Sequence, residues 1–475
     1  MARKIPSSRL RASTRRQWLS RAGSGLGALA FSSLLAENLP AASAGYDDPL
    51  QPRKPHHAPK AKSVIWLFME GGPSHLDLFD PKPALRRMAG QPTPDSFHPP
   101  KITAMGTSGN TLMPDQREWK QHGQSGLWVS DWYKHVAEHA DDLAVIRSCT
   151  ADGLNHVGSV CQMNTGSILA GRPSLGSWVT YGLGTANRNL PTFVVLDSEA
   201  PLSGGAKNWS SGFLPAVYQG TQFQKDGPPI LNLANPSTIG DPQQRGKLDF
   251  LADLNRRHAQ RHPHESELNA RLESYELAYR MQAHGPEAVD VASESDATKK
   301  LYGLDDDFLR PFGEKLLLAR RLVERDVRFV EVYGGSWDAH ADIEKNHGKW
   351  CRFTDKPIAG LLADLKSRGL LEDTLVVWGG EFGRTPFNEK GDGRDHNPWG
   401  FTVFMAGAGI QPGQAIGTTD EIGLHAQESP YHVHDVHATI LHLLGLDHLS
   451  LTYLHNGRSE RATVNGGRLI EQALA

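Results

Sequence analysis

Six short, continuous apolar runs punctuate the chain, and they leave few folds open to it. They are Ser63–Met69 (SVIWLFM), Leu143–Ile146, Phe193–Leu196, Val327–Tyr333, Leu375–Trp378 and Phe401–Met405. Lacking polar alternation, such runs suit strands covered on both faces, as in the middle of a parallel sheet. Between them, apolar residues return at three- and four-residue steps over Glu265–Met281, Phe308–Arg325, Ile358–Arg368 and Val433–Leu444, which predicts helices. Strands alternating with helices specify an α/β fold: three layers, α/β/α, around a mostly parallel central sheet.

One stretch, about 198–295, breaks the rhythm. Its first half is rich in Gly, Pro, Gln, Asn and Ser, and its second half is charged and helical, so it reads as a cap or insertion over a domain spanning 63–475. Residues 45–62, with Pro52-Arg53-Lys54-Pro55, read as a linker. Residues 1–44 carry an export signal. Arg15-Arg16 precedes Trp18-Leu19, a mildly apolar stretch from Ala22 to Ala36 follows, and Ala42-Ser43-Ala44 offers a peptidase site. This order predicts a twin-arginine signal, with the twin-arginine export machinery as a partner, and a mature chain beginning at Gly45 in the periplasm or outside the cell. No later segment is apolar enough to span a membrane.

Cleavage there removes seven Lys/Arg and one Asp/Glu, taking the formal net charge from −3 to −9. An acidic chain without a basic stripe is a poor partner for nucleic acid. Cys149, Cys161 and Cys351 allow one disulfide at most.

Three of the expected strands end alike. Met69 is followed by Glu70-Gly71-Gly72, Tyr333 by Gly334-Gly335-Ser336-Trp337-Asp338, and Trp378 by Gly379-Gly380-Glu381. Ligands of open α/β sheets bind beyond the carboxyl ends of strands, where glycine lets backbone turn sharply. Acids gathered on one rim repel unless protonated or neutralised, and a metal ion neutralises them economically. Histidines supply matching ligands: His75 with Asp77, Asp338 with His340, and Asp395 with His396. Mixed imidazole and carboxylate donors point to a divalent metal, zinc first, with calcium or magnesium as the choice of oxygen-rich sets. His432, His434, His437 and His442 line the apolar helix ending in LLGL and read as packing or capping residues.

The segments GGPSHLDLFDPKPAL, WDAH, RGLLEDTLVVWGGEFGRTP, GRDHNPWGFTVFMAGAGI and HDVHATILHLLGL resemble the exported domain of unknown function 1501 family, within the alkaline phosphatase/sulfatase-like superfamily. The resemblance runs from about Ser63 to Leu446. It implies a phosphatase-like α/β/α fold and metal-dependent hydrolysis of sulfate or phosphate esters, on a small molecule or a polysaccharide. By position it assigns the metal centre to Glu70, Asp338, His340, Glu381 and His396. The chain departs from that pattern in using Glu after two strands, and in placing Phe382-Gly383 where a phosphatase has a second histidine.

The nucleophile is the larger departure. In sulfatases of this architecture a Thr-Gly pair closes a C-x-P-S-R motif; here Thr165-Gly166 is present, yet the cysteine position holds His156 and the arginine position Val160. His156 is left to attack, bind metal or act as acid/base, with Asn155 as an oxyanion contact and Ser148, Cys149, Thr150 and Ser159 as nearby hydroxyls and thiol. Arg384 is the candidate clamp for an anionic ester, ahead of Arg394. Two functions follow: a metal-dependent sulfate or phosphate ester hydrolase using an activated water, or a non-catalytic member binding anionic carbohydrate or another exported protein. A large redox cofactor is disfavoured, since neither a dinucleotide fingerprint nor cluster-forming cysteine spacing is present.

Overall fold

The first apolar run becomes the middle of the sheet. The structure, a computed structural model, describes residues 48–475 apart from 103–110, 198–200, 225–229, 231–234, 236–237, 262–265 and 389–390. The expected export signal lies outside the described residues. Pro49–Ala475 form one compact unit.

Nine strands make the central sheet: β1 (Ser63–Phe68), β2 (Leu143–Thr150), β3 (Phe193–Leu196), β4 (Thr221–Phe223), β5 (Phe329–Tyr333), β6 (Thr374–Gly379), β7 (Phe401–Gly407), β8 (Gln414–Ile416) and β9 (Tyr431–His432). Their order is β8-β2-β7-β6-β1-β5-β3-β4, with β9 also pairing β2. β1 runs parallel to both neighbours, Ile65 standing opposite Val330 of β5 and Val376 of β6. β7 alone is antiparallel to both of its neighbours. The β6–β7 connection explains this: it is a hairpin of Gly383–Asn388 and Arg394–Asn397 with no crossover helix, so the chain returns in the opposite direction.

Both faces of β1 are covered. Ile65 and Leu67 pack into one core with Leu316, Leu317 and Leu322 of one helix and Ile358, Leu361 and Leu365 of another. Val64, Trp66 and Phe68 pack into a second core with Met163, Trp178 and Ile440. The helices concerned are α1 (His156–Thr165), α2 (Leu175–Leu183), α5 (Arg310–Val323), α6 (Ile343–Ser367) and α7 (Val433–Leu443). The result is a three-layer α/β/α domain with a mainly parallel sheet. Each fully buried side chain of this kind contributes roughly 1.5–3 kcal/mol.

The 198–295 stretch adds β4 to the sheet edge and then supplies α3 (Asp241–Arg261) and α4 (Ser266–Val289). α6 starts fifteen residues before Ile358, because Lys345, Asn346, Lys349 and Arg352 dilute its apolar period. Residues 49–62 have neither strand nor helix, yet they are pinned to the body: the Arg53 amide donates to Leu183 at 2.9 Å and the Lys60 amide to Leu443 at 2.8 Å. The three cysteines are free and buried. Among the described residues, no helix is long and apolar enough to cross a membrane.

Glu331 sits in β5 between Phe329 and Tyr333, opposite Trp66 and Val195, and is 2% exposed. Burial pushes its carboxyl from 4.5 up to about 8. The unfolded chain thus releases this proton near pH 4.5 and the folded chain only near pH 8, so stability declines across that window and then levels. Glu331→Gln removes the decline. Chemical denaturation is expected to show the variant gaining on the parent from pH 5 to pH 8, by on the order of a few kcal/mol. An equal stability difference at both pH values contradicts the assignment.

Candidate metal centre

β6, β1 and β5 are adjacent and parallel, so their carboxyl ends share one edge. Beyond β1, Gly71 turns at φ +108°, and a Cβ there would stand 2.5 Å from the backbone nitrogens of Trp337 and Asp338. Only glycine lets the two strand ends approach this closely. The Trp337 amide donates to the Glu70 carbonyl at 2.8 Å, and the Gly71 amide donates to both carboxylate oxygens of Glu381 at 3.0 and 3.1 Å.

Arg384 ties the rim together from beneath. Its fully buried guanidinium donates to the carbonyls of Gly71, Gly72 (3.0 Å), Trp337 (3.4 Å) and Arg394 (3.0 Å), and to Asp338 Oδ1 at 2.8 Å. The side chain expected to clamp an anionic ester is therefore committed to backbone and to Asp338.

Around the Asp338 carboxylate stand three imidazoles. His340 follows β5 and places Nε2 3.0 Å from Oδ1; His396, paired with Arg384 in the hairpin, places Nε2 at 3.4 Å. His156 opens α1, held there by Asn155, whose side-chain oxygen accepts from the Gly158 amide at 3.0 Å as an N-cap. Its Nε2 lies 3.3 Å from Asp338 Oδ2. One ligand atom from each of His156, Asp338, His340 and His396 falls within 4.8 Å of the others.

The other ring nitrogens decide how these histidines are set. A carbonyl only accepts, so His396 Nδ1 donates to Leu154 O at 2.7 Å; His156 Nδ1 likewise faces Glu381 Oε1 at 2.6 Å. Neutral rings in this arrangement direct the Nε2 lone pair at the cluster, with a carboxylate or carbonyl behind each, as metal-binding histidines do. His156 Nε2 is buried and has no hydrogen bond, since Asp338 lies close but off its donor direction. An orphaned nitrogen aimed where two other imidazoles and a carboxylate meet fits a divalent cation, and the nitrogen-rich set fits zinc.

Electrostatics agree with a site built around one negative hub. Burial pushes the Asp338 carboxyl up, but the adjoining imidazoles of His156, His340 and His396, with the Arg384 guanidinium nearby, hold it well below the usual carboxylate range. Burial lowers His156, and Asp338 and Glu381 outweigh that, raising it to about 9. His396 is lowered, chiefly by burial, and Arg384 adds to this. Glu70 is raised by burial and then by repulsion from Glu381, its Oε1 accepting from the Ser203 amide at 3.3 Å.

The remaining candidates are placed elsewhere. His75 is buried with Nε2 2.8 Å from the Gly423 carbonyl. Asp77 accepts from Arg394 at 3.1 Å and from Ser74, so it neutralises a buried arginine. Asp395 is buried with Oδ1 2.7 Å from the His396 amide, fixing backbone next to the cluster. Glu381 stands one step behind the cluster, supporting His156. Ser148 donates to the Ser429 carbonyl at 2.6 Å, and burial raises the Cys149 thiol. His434 and His437 bond the carbonyls of Gly166 and Met163 at 2.7 and 2.8 Å. Two contributors carried no sequence signal, the Leu154 carbonyl and the Ser203 amide, while Phe382, standing where the resemblance expects a second histidine, stacks its ring on His396 at 4.3 Å.

This geometry separates two kinds of variant. Asp338→Asn is expected to abolish metal binding, whereas Glu381→Gln, which acts through His156, is expected to weaken it roughly 10- to 100-fold. Competition against a chromogenic chelator measures both. Equal affinity in parent and both variants contradicts the ligand set.

None of the curated proteins matches the sequence. Several solved structures overlap the chain at low identity. A protein in the alkaline phosphatase superfamily from Vibrio parahaemolyticus is 12% identical, with 90% of this chain and 74% of that chain covered, at a TM-score of 0.37. The PsFucS1 sulfatase from Pseudoalteromonas sp. is 13% identical, with 90% and 72% covered, at 0.34. A TAB5 alkaline phosphatase variant with Mg bound is 13% identical, with 76% and 94% covered, at 0.32. Residues 61–474 match the family described as protein of unknown function (DUF1501), and the chain belongs to that family.

Proposed function

We propose that this protein is an exported, metal-dependent hydrolase of sulfate or phosphate esters. In this reading the twin-arginine signal of residues 1–44 directs the chain to the periplasm or beyond, and the 198–295 stretch caps the domain. The observation that carries the catalytic part is the convergence of three imidazole Nε2 atoms and one carboxylate beyond three adjacent strand ends.

His156, Asp338, His340 and His396 hold the cation, zinc ahead of magnesium or calcium. When bound, such an ion polarises an ester oxygen and lowers the pKa of a water molecule. His156 acts as a ligand rather than an attacking group, because Nδ1 is bonded to Glu381 and Nε2 faces Asp338. With no hydroxyl or thiol in the donor set, attack falls to water. Glu70, close enough to Glu381 and His156 to feel their charge, is the carboxyl left to carry a proton. Asn155 and Arg384 position His156 and Asp338 and do not touch the ester.

The locked Arg384 and the missing side-chain nucleophile favour a second reading, in which the same fold binds anionic carbohydrate or an exported protein without turnover. Elemental analysis of the mature protein, with aryl sulfate and aryl phosphate assays, separates the two. The hydrolase reading expects about one metal ion per chain, and ester cleavage lost on chelation and in Asp338→Asn. Metal without cleavage of any ester moves the assignment to the second reading. Absence of both metal and cleavage removes the hydrolase.

A further inference from the structure

A cleft of about 980 Å³ lies where the segment that begins at Glu70 reaches Asp80–Pro83. Most charges around it are spent on one another. Lys82 pairs with Asp80 at 3.1 Å, Arg86 donates to the Asp115 carbonyl at 3.1 Å with the Asp115 carboxylate 3.7 Å away, and Arg117 pairs with Glu344 and Asp131. One cation on the cleft wall remains, Arg147, since Lys120 stands opposite Val129 on the other face of its ribbon. Among the described residues, the Arg147 side chain makes no hydrogen bond or ion pair.

Arg147 is the unusual one. It lies in β2, among Val145, Ile146, Ser148 and Cys149, which are all buried. Ile146 pairs with Val403 and Cys149 with Phe401, so Arg147 and Ser148 together face Thr402 alone. This β-bulge re-aims a side chain that regular pairing would direct elsewhere. The guanidinium is half-buried, and its Nε is enclosed without a partner. An unpaired charge so placed is costly, and an apolar residue of similar length avoids the cost. A guanidinium with free donors matches the paired oxygens of a carboxylate or sulfate.

The neighbouring ribbon adds a flat apolar surface. Strands Trp119–His122 and Leu127–Ser130 pair in register, Trp119 opposite Ser130. Leu127 and Val129 point inward, and alternation turns Trp128 outward at 37% exposed, on the same face as Trp119. Trp119 is pinned through Nε1 to Asp115 Oδ2 at 2.6 Å. Two indoles beside the free Arg147 guanidinium suit rings that carry an anionic group, and the volume accommodates more than one ring.

We propose that this cleft is a binding site for an anionic oligosaccharide, with Arg147 holding a sulfate or carboxylate group and Trp128 and Trp119 stacking on its rings. The site is independent of the metal centre and of the hydrolase reading. Its test is an array of sulfated, uronate-bearing and neutral oligosaccharides, followed by calorimetric titration of the tightest binder.

Charged saccharides are expected to bind and neutral ones not, with inorganic sulfate alone at least 100-fold weaker. Arg147→Met keeps length and removes charge; it is expected to lose at least 10-fold in affinity while melting no lower than the parent, which shows that the fold persists. Trp128→Ala is expected to lose a similar factor, and Asp338→Asn to bind as the parent does. Failure of every charged saccharide to bind overturns the proposal, as does binding untouched by Arg147→Met. Equal binding of neutral sugars, an acidic peptide or single-stranded DNA overturns it too, and so does loss of binding in Asp338→Asn.

Discussion

The Arg384 guanidinium donates to four backbone carbonyls and one carboxylate at the edge where β6, β1 and β5 end. Those carbonyls belong to the turn after β1, the loop after β5 and the hairpin after β6, three segments far apart in sequence. A buried arginine must satisfy its donors, and here it does so by fastening these segments to one another. Asp338 is part of that fastening. Its carboxylate is oriented by the guanidinium before any imidazole meets it, so the hub of the site is a product of the sheet edge.

Once Asp338 is fixed, the rest of the site follows from charge. A negative carboxylate in a half-buried place draws three imidazoles to it, and a second acid, Glu381, sits behind one of them. Glu381 is fully buried and takes the Gly71 amide on both oxygens. Two carboxylates against one arginine leave the centre short of positive charge when the three imidazoles are neutral, and a divalent cation held by their Nε2 atoms then supplies it. Where such an ion is held, His156 serves the same end as His340 and His396.

Much of this was legible before the fold was known. Ser63–Met69, Phe193–Leu196 and Leu375–Trp378 announced themselves because strands covered on both faces have no polar alternation. The acids after β1, β5 and β6 were visible because glycine marks the sharp turns at the sheet edge. The direction of β7 was not visible, since it depends on the hairpin between Gly383 and Asn397 replacing a crossover helix. The short edge strands β4, β8 and β9 carry too few residues for any period to show. Helix α1 was hidden by its polar residues, although Asn155 and Gly166 cap its two ends.

The division of labour within the site could not be read either. Asp338 and Glu381 occupy equivalent places after parallel strands, and only the distances separate the hub from the residue behind His156. His75 and His396 look alike beside an acid and a glycine turn, yet one bonds the Gly423 carbonyl and the other faces Asp338. The measurement that bears most directly on the account is anomalous diffraction from a crystal of the mature protein, collected on both sides of the zinc absorption edge. The account predicts one peak about 2.0–2.2 Å from the Nε2 atoms of His156, His340 and His396 and from an Asp338 oxygen. A map with no peak there, and with His156 Nε2 hydrogen-bonded to Asp338, contradicts it.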